Sequence, residues 1–160
     1  MRRSNLFSSL LISLVVVVGA VAVSPAGATT ANQAGRRAAA PEATLQQKDS
    51  IFRLYQAYFL RAPDAGGWTH WANTYVKGGS LAKISNVFAG SSEFKNRYGD
   101  LSNAGFVDLI YKNVFYRQAD PPGSRYWTSV LDGGRSRGLV MIGFSESPEF
   151  IKLTATLPPK

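Results

Sequence analysis

Ile51, Leu54, Tyr55, Tyr58 and Phe59 are separated by steps of three and one, the spacing that gathers side chains on one face of a 3.6-residue helix. Val107, Ile110, Tyr111, Val114 and Phe115 reproduce the same steps, so the pattern predicts two helices, each with one buried face. Asp64 and Asp120 follow at positions suited to a helix N-cap. Pro121 and Pro122 fall in the first turn of the second of these helices, where a missing N–H does no harm. The helices that start there carry Trp68, Trp71 and Tyr75 in one case, and Trp127 with Leu131 in the other. Gly78-Gly79-Ser80 and Gly134-Arg135-Ser136 place a glycine stop and a serine start back to back. They end the second helices and open third ones through Ile84 to Phe88 and Val140 to Phe144. Ser91-Ser92-Glu93-Phe94 and Ser147-Pro148-Glu149-Phe150 then open short fourth helices, with an acid in the electropositive first turn. No segment alternates as a strand would.

The recurrence is an internal repeat. Residues 51–94 slide onto residues 107–150 at a constant offset of 56 without a gap, giving 12 identities in 44 positions. The shared residues are Tyr55/Tyr111, Phe59/Phe115, Arg61/Arg117, Asp64/Asp120, Gly67/Gly123, Trp71/Trp127, Gly78/Gly134, Ser80/Ser136, Phe88/Phe144, Ser91/Ser147, Glu93/Glu149 and Phe94/Phe150. Aromatic, glycine and capping residues dominate, the types that fix geometry. The pattern predicts an all-α fold in which two tandem copies of a three-to-four-helix motif pack into one small helical domain. That domain spans 46–155, with copy one at 46–98, copy two at 102–153 and a tail at 156–160.

The residues ahead of the domain read differently. Arg2 and Arg3 form a basic start, Leu6 to Val23 is apolar and uncharged, and Ala26-Gly27-Ala28 supplies a small-x-small cleavage pattern. Residues 1–28 are therefore expected to be a secretion signal peptide, cleaved after Ala28. The rival reading is a retained membrane anchor, for which the apolar stretch is borderline against the roughly 20 residues a span needs. Residues 29–45, rich in Ala, Thr, Gln and Gly, read as a flexible linker.

The string Leu54-Tyr55, Leu60-Arg61-Ala62-Pro63-Asp64, Gly67, Trp71, Gly78, Phe88 and Ser91-Ser92-Glu93-Phe94 resembles the bacterial exoprotein family termed domain of unknown function 4214. Tyr111, Arg117, Asp120, Gly123, Tyr126-Trp127 and Ser147-Pro148-Glu149-Phe150 fit the same pattern. The family places a glycine before the arginine, where this chain has Leu60 and Tyr116, and a proline where it has Ala119. These departures are expected to loosen a turn. The resemblance implies an extracellular helical module, similar in fold to phycobilisome linker domains, with no established activity.

Composition narrows the chemistry. The 160-residue chain contains no cysteine, which excludes disulfides, thiolate metal sites and a cysteine nucleophile. It carries 18 basic and 10 acidic residues. Removal of residues 1–28 takes two arginines and no acid, leaving sixteen basic residues and a net charge of +6. The excess suits adsorption to anionic wall polymers, but the basic residues are scattered, so no nucleic-acid partner is expected. Asp64, Glu93, Asp120 and Glu149 could be read as glycosidase carboxylates. Each, however, sits at a helix start, and Arg61 or Arg117 offers a structural ion-pair partner. With Gly67, Trp71, Gly123 and Trp127, they are therefore assigned to the scaffold. No metal or cofactor is expected: His70 is the only histidine, and the Asp-to-Gly turns offer one carboxylate each, enough only for weak calcium contact.

If repeated residues build the fold, residues that differ between copies are the better candidates for function. Trp68 faces Ser124, His70 faces Tyr126, Tyr116 faces Leu60, and Tyr98 lies between the copies. Trp68, His70, Tyr98, Tyr116 and Tyr126 are accordingly the ligand-binding candidates, because a flat ring beside polar groups can stack on a sugar or anchor a protein. The alternative for Trp68 is simple packing with Trp71 and Tyr75. The expected function is a secreted, non-catalytic interaction module that binds cell-surface polysaccharide, wall polymer or another exoprotein, without stable membrane insertion. A self-associating structural linker or assembly protein is the second reading, and a carboxylate-based glycan hydrolase the third.

Overall fold

The computed structural model describes residues 41–157, and the expected signal peptide and most of the linker lie outside them. Among the described residues the fold is all-helical. The order is α1 (Leu45–Phe59), α2 (Ala65–Val76), α3 (Leu81–Gly90), α4 (Ser92–Tyr98), α5 (Asn103–Phe115), α6 (Pro121–Asp132), α7 (Arg137–Ser145) and α8 (Pro148–Thr154). No strand occurs among the described residues.

Local chemistry accounts for where the helices begin. Every helix has a Ser, Thr or Asp N-cap whose side-chain oxygen accepts an N–H of the first turn. Asp64 accepts from the Gly67 amide at 2.7 Å, and Asp120 from that of Gly123 at 3.2 Å. Thr44 and Gln47 form a reciprocal capping box, so α1 opens at Leu45 inside the segment expected to be linker.

The helix ends are equally specific. Gly78 (φ +82°) and Gly134 (φ +89°) close α2 and α6. In each case the glycine N–H reaches the carbonyl three residues back and the next N–H reaches five back, the 6→1 and 5→2 pattern of a Schellman motif. Leu60 and Tyr116 end α1 and α5 in the left-handed region, both with φ 53°. These are the positions at which the family pattern has glycine. The turn is not loosened by their side chains; it keeps the glycine conformation and carries the steric cost.

The core is a single cluster fed by both halves. Ile51, Leu54, Tyr55, Tyr58, Phe59, Val107, Ile110, Tyr111 and Val114 are all buried in it, as their spacing predicts, with Phe115 partly buried against them. Phe88, Phe94, Phe144 and Phe150 close the cluster from α3, α4, α7 and α8. Tyr58 anchors the centre: its ring meets Phe88 and Phe94 edge-on at 5.7 Å, and its hydroxyl donates to the Ser85 carbonyl at 3.1 Å. Burial raises the Tyr58 hydroxyl well above the usual tyrosine range.

The most extensive contact between the halves is that of α3 with α7. Gly138 is buried there, and a Cβ at this position would lie 2.5 Å from the Asn86 backbone nitrogen. The Ser85 hydroxyl donates to the Gly138 carbonyl at 2.9 Å, and the Gly138 amide donates to Asn86 Oδ1 at 3.2 Å. Helices α1 and α5 meet at Asn113, whose side-chain amide donates to the Ala57 carbonyl at 2.9 Å. Asn113 and Ala57 are themselves 56 residues apart.

Candidate functional site

The repeated scaffold residues form a compact unit at the end of α1. Gly67 lies so near the Tyr55 hydroxyl that a Cβ would sit 2.5 Å from it, and Gly123 stands in the same relation to Tyr111. The Trp71 indole N–H donates to the Tyr55 hydroxyl at 3.1 Å, and its ring meets Phe88 at 5.1 Å. Trp127 packs on Phe144 at 5.0 Å. Burial raises the hydroxyls of Tyr55, Tyr75 and Tyr111 above the ordinary tyrosine value.

The arginines differ between the halves. Arg61 lies over Tyr55 at 5.0 Å and Phe59 at 5.8 Å. Its Nε and one terminal nitrogen donate to the two Glu93 oxygens at 2.8 Å each, with Asp64 at 3.9 Å. The hydrogen-bonded Arg61 guanidinium holds the Glu93 carboxyl below the usual range, and Arg97 adds to the effect. Glu93 in turn raises Arg61. Arg117 also lies over two rings, Tyr111 and Phe115, at 5.2 Å each. Yet among the described residues it has no carboxylate within ion-pair distance. The pairing expected of Arg117 with Glu149 or Asp120 is therefore not formed. The fourth helices also differ in charge, since Arg97 stands 56 residues before Leu153.

The five ligand-binding candidates do not form one constellation: among the described residues none of their rings stacks on another of the five. Tyr98 is partly buried, packs on Phe94 at 5.1 Å and receives a hydrogen bond from Asn113 at 3.1 Å. Both contacts are internal. His70 is exposed and meets Trp71 edge-on at 4.4 Å. Tyr126 is 59% exposed against Trp127, and Tyr116 is 66% exposed on its left-handed turn.

Trp68 lies partly in the core and partly at the surface. It packs against the core cluster, as Trp71 and Tyr75 also do. It also lines an open hollow of about 430 Å³ with Pro41, Glu42, Ala43, Lys48, Thr69, Ala72 and Asn73. A second hollow of about 220 Å³ lies against it, walled by Asp49, Phe52, Thr154, Ala155 and Leu157. An indole thus stands between two depressions, with a cation, a carboxylate, an amide and a hydroxyl around the larger one. This set can hold a flat, hydroxyl-rich ligand by stacking and hydrogen bonds. It has no pair of acids positioned as an acid and base, and no group of three or more His, Asp or Glu side chains suited to a metal occurs among the described residues.

Two features escaped the sequence pattern. The Arg53 guanidinium grips Glu146 through two nitrogens, and Ser50 donates to the same carboxylate at 3.0 Å. This clamp ties α1 to the end of α7, with the Arg53 side chain only 10% exposed. Arg53 and Glu146 fall opposite Leu109 and Gly90 at the 56-residue offset, so repetition could not reveal them. Gly138, opposite Ala82, was hidden in the same way. Charge complementarity was the available signal for the clamp, but nothing in a single sequence chooses one acid for Arg53 among ten.

No helix among the described residues is long and apolar enough to cross a membrane. No curated protein and no solved structure matches the chain. The match to a family model begins inside α3 and runs to the last residue of α8, crossing the boundary between the halves. It is the model of the domain of unknown function DUF4214, which matches residues 85–154 and supports placing the chain in that family.

Proposed function

We propose that the protein is a secreted, non-catalytic interaction module, two tandem copies of one helical motif, that binds a cell-surface glycan or wall polymer at Trp68. The observation that carries this reading is the hollow of about 430 Å³ beside the Trp68 indole, bordered by Lys48, Glu42, Thr69 and Asn73. The position opposite Trp68 is Ser124, so the second half lacks the ring on which such a site depends. The tandem relation is supported by the matching N-caps, Schellman ends and left-handed turns 56 residues apart. The secreted address rests on residues 1–28, outside the described residues.

The carboxylates support a structural role better than a hydrolytic one. Asp64 and Asp120 already accept helix amides, and Glu93 is engaged by Arg61. Self-association is the second reading, favoured by Ile151, Leu153 and Leu157, which are all exposed near the C-terminal end.

A glycan and cell-wall array probed with the wild type and Trp68→Ala tests the proposal. Retention by the wild type and its loss in a variant with native circular dichroism is expected; equal retention contradicts the site. Light scattering at rising concentration addresses the second reading, since a concentration-independent monomer removes it. Turnover of an arrayed glycan that disappears in Glu93→Gln or Glu149→Gln would overturn the non-catalytic assignment.

A further inference from the structure

The two halves provide an internal comparison for one binding element. In the first, the Arg61 guanidinium is held against Tyr55 and Phe59, and its Nε edge is filled by the Glu93 carboxylate in a two-bond fork at 2.8 Å and 2.8 Å. In the second, Arg117 is held against Tyr111 and Phe115 in the same way, but its fork has no carboxylate. Arginine loses much rotamer freedom when it binds an anion, and here the stacked rings already restrict it. The first half therefore shows which group such a stacked arginine accepts, and in what geometry.

We propose that Arg117 is a seat for an external carboxylate, and specifically for the uronate carboxylate of an acidic glycan, bound through the fork that Glu93 occupies on Arg61. Two further features favour a sugar acid. Tyr116, the residue before Arg117, is 66% exposed, whereas its counterpart Leu60 is aliphatic. The open arginine thus comes with an exposed aromatic ring, the kind of surface on which a sugar ring stacks. The chain's basic excess also draws a polyanion toward it. Glu149 is exposed and lies at the position equivalent to Glu93, which makes it the internal competitor for the seat and the natural place to tune it. The site stands apart from the Trp68 hollow and does not depend on it.

The test is titration of the full chain with a galacturonic acid hexamer, its fully methyl-esterified form and a glutamate hexapeptide, at two salt concentrations. The free-acid hexamer is expected to bind, and its ester to bind at least about tenfold more weakly, as expected when a charged hydrogen-bond pair is lost. Arg117→Ala, with native circular dichroism, should lose the same factor. Arg117→Lys should recover only part of it, because a lysine keeps the charge without the fork. Glu149→Gln should tighten binding several-fold. Equal binding of acid and ester, undiminished binding in Arg117→Ala, or full recovery in Arg117→Lys would overturn the proposal. Equal binding of the peptide would overturn the glycan assignment in favour of an acidic protein partner.

Discussion

The halves α1–α4 and α5–α8 share a scaffold, and their differences fall into two kinds. One kind lies on the surface: Trp68 against Ser124, Leu60 against Tyr116, and an arginine closed by Glu93 against one left open. The other lies where the halves touch: Asn113 above the Ala57 carbonyl, Gly138 beneath Asn86, and Arg53 clamped on Glu146. Each residue of the second kind is accounted for by the partner that it meets across the contact between the halves, so its difference from its counterpart needs no ligand. Divergence between repeats is therefore a mark of function only after the contact between them has been subtracted. Trp68, Tyr116, His70 and Tyr126 survive that subtraction. Tyr98 does not, since its ring and hydroxyl are both engaged inside the domain.

This contrast can be broken most forcefully at Gly138. Its Cβ would press on the Asn86 backbone nitrogen as well as on the Asn86 side-chain amide, so Gly138→Ala is expected to destabilise by about 3 kcal/mol through overpacking. Urea melts would show this as a lower midpoint. Asn86→Ala in the same background should recover little, because the backbone nitrogen is still in the way.

The left-handed turns offer a smaller effect of opposite sign. Leu60 and Tyr116 each bear the steric cost of φ 53°, roughly 1 kcal/mol or more for a side chain with a Cβ. Glycine removes that cost but adds unfolded-state entropy. Leu60→Gly and Tyr116→Gly should each stabilise by about 0.5 kcal/mol, a rise in thermal midpoint measurable by calorimetry. Equal gains would place the two turns in one conformational class, whereas a loss at either would end the equivalence.

The smallest effect separates the arginines. Glu93 is held below the usual carboxylate range in the folded state by Arg61, so its contribution is present above the unfolded-state value and is lost as pH falls through the folded one. The pair is more than one-third exposed, which limits it to under about 1 kcal/mol. Stability curves from pH 6 to pH 2 should therefore be shallower for Glu93→Gln than for the wild type. Identical slopes would remove the distinction between a closed and an open arginine.

Much of the architecture was legible because it is local. The step of three and one located the buried faces of α1 and α5, and the Asp, Ser and Gly positions located most helix ends, since a cap needs only residues within one turn. Thr44 was the exception: its capping box lies in a stretch whose composition resembles a linker. What stayed illegible is the chemistry made by distant pairs. Arg53 meets a carboxylate 93 residues away, and Gly138 matters because a backbone 52 residues earlier passes over it. The Arg117 pairing is of the same kind: the repeat supplies both partners, but whether they meet is settled by the packing of α5 and α8 and not by the residues within one turn. At Trp68 the sequence supplied both roles, packing and exposure, and the side chain performs both.

The three tryptophans give the most direct test of the central claim that a glycan is met at Trp68, where the halves differ, and not at the tryptophans that they share. Trp71 and Trp127 are scaffold positions, and Trp68 has no counterpart. Each indole N–H gives its own signal in a proton–nitrogen correlation spectrum, and the full chain can be titrated with the wall or glycan fraction that it retains. The Trp68 signal is predicted to move while those of Trp71 and Trp127 hold still. Movement of Trp71 or Trp127 with Trp68 unmoved would contradict the account.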